Sequence, residues 1–138
     1  MSEREPRFHP IGMLPVIAEL IDGYARDAAT LLPDLRQVRS RPHVFDDATV
    51  DRVAAVYGEI GEMLPIFEEQ LRRWGEEALT APQRAEVAQL FDQVFHLRPM
   101  VEEVLSLAAE IRKDTINRVM EKSDRELGLE ALLRPDRR

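Results

Sequence analysis

The sequence predicts an all-α protein: an antiparallel bundle of three long, proline-kinked helices followed by a short C-terminal helix. Three observations predict it. Apolar residues recur at alternating intervals of three and four along three separate stretches, the signature of helices that each bury one stripe. Each stretch opens on residues that favour a helix start, and the connections between stretches are short enough to return the chain against itself. The 138 residues suit one domain, 1–138, with 1–9 and 134–138 as flexible tails.

The first helix should begin near Gly12, because Pro15 is harmless in a first turn and costly deeper in. Its seam reads Leu14, Ile17, Ile21, Tyr24, Ala28, Leu31, Leu35 and Val38. Pro33 falls inside that pattern and predicts a kink or an early stop, and Arg41-Pro42 ends the segment. Asp46 or Asp47 caps the second helix, whose seam is Val50, Val53, Tyr57, Ile60, Leu64, Phe67, Leu71 and Trp74. Pro65, preceded by Gly58 and Gly61, predicts a bend and a thin stretch where a neighbour can approach closely. Gly75 and the acidic pair after it close the helix.

Thr80, Ala81 and Pro82 start the third and longest helix, with Val87, Leu90, Val94, Leu97, Val101, Val104, Ala108 and Ile111 on its seam. Phe91, Phe95 and Leu105 widen its apolar face. After Ile111 the pattern slips to Ile116, Val119 and Met120, so the apolar face turns toward a different partner. At ~1.5 Å per residue this helix outruns its neighbours by several turns. Ser123 with Glu126 reads as a capping box, which predicts a fourth helix carrying Leu127, Leu129, Leu132 and Leu133. That helix either folds back near Val44 and Phe45 or reaches a second subunit. Pro65-Ile-Phe-Glu-Glu-Gln-Leu71 is echoed by Pro99-Met-Val-Glu-Glu-Val-Leu105 at the tetratricopeptide period of about 34 residues, but helices this long do not suit that repeat.

Composition narrows the chemistry. A formal charge of −7 opposes a broad nucleic-acid or anionic-membrane surface. The absence of cysteine removes disulfides, thiolate catalysis and cysteine-ligated metal. The charged start of the chain lacks a signal-peptide core, and no apolar run is long enough to span a bilayer, so a cytoplasmic protein is expected. Lys113 and Lys122 are the only lysines among 19 basic residues, a bias that suggests a GC-rich bacterial genome.

Candidate chemistry is sparse. Glu59 and Glu62 form E-x-x-E, and Glu19 and Asp22 form E-x-x-D; such pairs can hold Mg²⁺ for phosphate chemistry. They resemble the acidic motifs of all-helical nucleotide pyrophosphohydrolases of the MazG type. That resemblance implies a divalent-metal phosphohydrolase, although the order of the two motifs is reversed here and all four acids fall at outward positions. No Glu-x-x-His pair of a di-iron bundle occurs. Arg36, Arg39, Arg41 and His43 form a basic cluster able to contact an anion. The interval from Arg36 to His43 resembles the arginine–histidine spacing of HEPN-type helical ribonucleases, and the stretch from Arg36 to Arg41 is the sole basis for a nucleic-acid-associated regulator. His96 and His9 read as packing and terminal residues, and no serine sits in a nucleophile elbow.

The reading favoured is therefore an adaptor, regulatory or self-assembling protein that works by protein–protein interaction without catalysis or cofactor. Phe91, Phe95, Leu105, Ile116 and Met120 form the expected interaction surface. A homodimer is the expected assembly, with a further protein partner undefined and neither nucleic acid nor membrane expected.

Overall fold

The computed structural model describes residues 7–40 and 46–133, and the side chains at 118, 122–124, 126, 127 and 129–133 lie outside that description. Among the described residues the chain is helical without strands: a 3-10 turn Ile11–Met13 leads into α1 (Leu14–Ser40), then α2 (Asp47–Gly75) and α3 (Ala81–Leu133). Among the described residues no helix is long and apolar enough to cross a membrane.

Capping fixes the starts. Asp46, in extended backbone, accepts a hydrogen bond from the Thr49 amide at 2.7 Å and so satisfies one of the orphan donors of α2. At the start of α3 the Gln83 amide donates to Thr80 Oγ1 at 3.2 Å while the Thr80 amide donates to Gln83 Oε1 at 3.0 Å, a reciprocal pair.

The three alternating stripes meet in one core. All eight α3 seam residues are buried, joined by Leu107, and seven of the eight in α2 are buried, with Val53 half-buried. In α1 the seam departs slightly from expectation: Leu32 is buried where Leu31 was expected, and Tyr24 and Leu31 are half-buried. A straight helix turns its stripe by ~20° per heptad, which is enough to exchange adjacent positions after two heptads.

Ion pairs give the order of contact. Arg112 meets Asp47 at 2.9 Å and Asp51 at 2.8 Å, and Arg98 pairs with Glu68, so α2 and α3 meet in reversed order. Arg36 meets Glu103 at 2.8 Å and Arg39 meets Glu110 at 3.4 Å, so α1 and α3 meet in the same order. The backbones of α1 and α2 both lie close along α3 but hardly approach each other. The wedge between them is bridged by large side chains, with the Tyr24 and Phe67 rings 6.3 Å apart between centroids.

Several expectations are corrected. Among the described residues there is no separate C-terminal helix: α3 continues through Ser123 and Glu126 to Leu133. Extending an existing helix adds one bond per residue fixed, whereas starting another repeats the nucleation cost, and neither proline nor glycine interrupts positions 112–127. The fold-back onto Val44 and Phe45 lies outside the described residues. Pro33 does not stop α1, and α2 and α3 likewise continue through Pro65 and Pro99. All three prolines are exposed, so water can take the carbonyls that lose their i+4 partner. Gly61 does not mark a close approach: a Cβ there would lie 3.6 Å from Val101 Cγ1, and one at Gly58 would meet nothing within 4 Å.

The start of the chain also differs from a simple frayed tail. Residues 1–6 and 134–138 lie outside the description, but Arg7–Pro10 forms a strap across the wedge between α1 and α2. The His9 amide donates to Gln70 Oε1 at 2.6 Å, and Gln70 Nε2 donates back to His9 O at 3.3 Å. Trp74 Nε1 donates to the same carbonyl at 2.9 Å. The Arg73 guanidinium stacks on the Phe8 ring at 3.8 Å. Gln70 is only 3% exposed, and both functional ends of its amide are committed to the strap.

Candidate interaction surface

The five residues expected to form an interaction surface separate along α3. Phe91 and Leu105 are half-buried and pack against the core, where they offer a partner little free surface. Phe95 is 72% exposed, with His96 edge-on to its ring at 5.6 Å between centroids. The His96 ring is itself anchored by Nδ1 donating to Asp92 O at 2.8 Å. Ile116 and Met120 are 51% and 62% exposed, and Val119 between them is equally bare.

The helix explains that grouping. Positions 116, 119 and 120 stand at i, i+3 and i+4, so they share one face. The described ion pairs from α3 to α1 and α2 reach only as far as Glu110 and Arg112. At ~1.5 Å per residue, the twenty-one positions from 113 to 133 continue for roughly 30 Å past those contacts. A single amphipathic helix of that length gains little stability alone, which makes a partner physically useful to it.

The basic cluster is differently placed. Arg36 donates through Nε and Nη2 to the two carboxylate oxygens of Glu103, at 2.9 and 2.8 Å, a bidentate fork. Arg39 donates to Glu110 at 3.4 Å. Both arginines therefore brace α1 against α3, and an incoming phosphate would compete with those carboxylates. Arg41 and His43 lie outside the described residues.

Glu19 and Asp22 on α1 and Glu59 and Glu62 on α2 are all exposed. Among the described residues no three His, Asp or Glu side chains gather closely enough to hold a metal ion. Asp22 alone of the four lines a cleft, about 290 Å³, with Glu86, Gln89 and Gln93 between the starts of α1 and α3. Gln93 Oε1 is buried there without a hydrogen-bond partner.

Sequence reasoning missed the strap and its receptors. Its signal was faint: Phe8 and Pro10 stand among charged residues, and Gln70 is a polar residue directly before the seam residue Leu71. Comparison of the chain with protein-family models, with curated proteins and with solved structures finds no match.

Proposed function

We propose that this protein is an interaction module that self-associates as a homodimer through the C-terminal part of α3 and works by binding rather than catalysis. The observation that carries the reading is the bare apolar face of Ile116, Val119 and Met120 on the part of α3 beyond its ion pairs with the other two helices. Charge supports it. Positions 113–133 carry Lys113, Arg118, Lys122 and Arg125 against Asp114, Glu121, Asp124, Glu126 and Glu130, a net −1 in a chain of −7. Two copies meet with little net repulsion across so nearly neutral a segment.

Full burial of a large apolar side chain stabilises by ~1.5–3 kcal/mol, and these three are already partly covered, so each contributes about 1–2 kcal/mol. Six such side chains across a symmetric pair must offset the cost of association, ~4–15 kcal/mol. The dimer is therefore modest in affinity and concentration-dependent. Sedimentation equilibrium over a dilution series should resolve monomer and dimer. Met120→Glu together with Ile116→Glu should shift the population to monomer without loss of helical circular dichroism. A wild-type chain that stays monomeric at hundreds of micromolar refutes the reading.

A further inference from the structure

The wedge between α1 and α2 is incompletely filled. Because those two helices pack on α3 rather than on each other, side chains from both sides must fill the gap, and under the strap they leave a cavity of about 310 Å³. Its apolar walls are Phe8, Ile17, Leu20, Met63, Ile66 and Phe67. Leu20, Met63 and Ile66 stand off the helical seams, where a solvated bundle face ordinarily carries polar residues. Apolar positions from two helices and the strap thus converge on one hollow, at the low end of the size of small-molecule sites, ~300–1,000 Å³.

The polar lining selects the ligand. Gln70 reaches the cavity but spends its amide on the His9 main chain. Arg7 lines the cavity and makes no ion pair among the described residues. Arg73, stacked on the Phe8 ring, adds a second positive charge nearby, partly offset by its pair with Glu69. Among the described residues no carboxylate lines this cavity, although the chain as a whole is acidic. Apolar walls ending at an arginine suit a molecule with an apolar body and one anionic end.

We propose that this cavity binds a small amphiphilic carboxylate, a short acyl chain or single aromatic ring lying against Leu20, Met63, Ile66 and Phe67 with its carboxylate at Arg7. The strap is then one wall of the site, and occupancy holds it closed. Trp74, the only tryptophan, is bonded to the strap and reports the event directly.

The test uses the full chain with decanoate, 1-decanol and decyltrimethylammonium, all below their micellar concentrations, read by Trp74 fluorescence and thermal midpoint. Decanoate should give a saturable signal and a raised midpoint, with at least tenfold tighter binding than the cation. Arg7→Ala should weaken decanoate about tenfold, the size expected for a charge-assisted hydrogen bond, and leave decanol unchanged. Leu20→Asp, an exposed position that places a negative charge in the wall, should abolish decanoate binding while the helical signal stays intact. Vesicles containing anionic lipid, run in parallel, separate a free amphiphile from a bilayer. Lack of saturation by millimolar decanoate, equal affinity in Arg7→Ala or Leu20→Asp, or capture by vesicles without decanoate saturation overturns the proposal.

Discussion

Replacing Gln70 by alanine tests the contact on which the strap depends. The substitution removes the hydrogen bonds at 2.6 and 3.3 Å to the His9 main chain, each worth ~0.5–1.5 kcal/mol net. It also removes a buried methylene, ~0.8 kcal/mol, and leaves a small void. His9 is exposed, so its freed amide recovers part of the loss from water, and its carbonyl keeps the bond from Trp74. The sum is a destabilisation of about 2–4 kcal/mol. For a chain of this size 1 kcal/mol moves the thermal midpoint by roughly 3–5 °C, so a drop of about 6–20 °C is expected. Urea unfolding should show a lower midpoint at unchanged slope, with Trp74 emission shifted to the red in the native baseline.

Gln70→Glu sharpens the same test. A carboxylate can still accept from the His9 amide but faces the His9 carbonyl without a proton to donate. Burial and that repulsion raise its folded pKa above the unfolded value, so the destabilisation is complete above the folded pKa, is relieved as pH falls through it, and is gone below the unfolded value of ~4.3. If Gln70→Ala stays within ~0.5 kcal/mol of wild type with unchanged Trp74 emission, the strap contributes nothing and the reasoning fails.

Three further outcomes are expected. Leu64→Ala, in the core, should cost ~2–5 kcal/mol in denaturant unfolding, whereas Phe95→Ala should change stability by no more than ~0.5 kcal/mol. Gly58→Ala and Gly61→Ala should each stabilise by about 0.5–1 kcal/mol, since both lie within α2 with room for a methyl; a loss at Gly61 would mean that α2 and α3 pack more tightly than 3.6 Å implies. Hydrogen bonds from Arg72 and Arg73 hold the Glu69 carboxyl down at about 2 from an ordinary 4.5. A depressed carboxylate contributes above the unfolded pKa and loses that contribution as pH falls toward the folded value. Acid titration of Glu69→Gln should therefore show a shallower loss of stability between pH 4.5 and 2, a difference that salt diminishes.

Long elements were legible because their signal is redundant. Eight consecutive seam positions in α3 specify a buried stripe regardless of any single residue, and the starts at Asp46 and Thr80 follow from side chains that satisfy backbone donors locally. The end of α3 was misread because Ser123 and Glu126 satisfy a local rule that matters only where a helix must begin. Leu107 was missed and Leu31 misplaced because the stripe rotates slowly against a seven-residue repeat. Phe91 and Phe95 looked alike in sequence, one turn apart, yet one faces the core and the other solvent. The strap was the least legible part: its hold on the bundle depends on main-chain atoms of His9 meeting Gln70 and Trp74 more than sixty residues away. No periodicity encodes such a contact.

That α3 is the common neighbour of α1 and α2, whose backbones hardly approach each other, has a kinetic corollary. During synthesis the first two rods leave the ribosome before the third exists, and until it arrives they share no adequate dry interface. A nascent chain halted after Gly75 should remain largely unstructured, with its leucines and Trp74 open to chaperones, and the bundle should condense only once the last rod emerges.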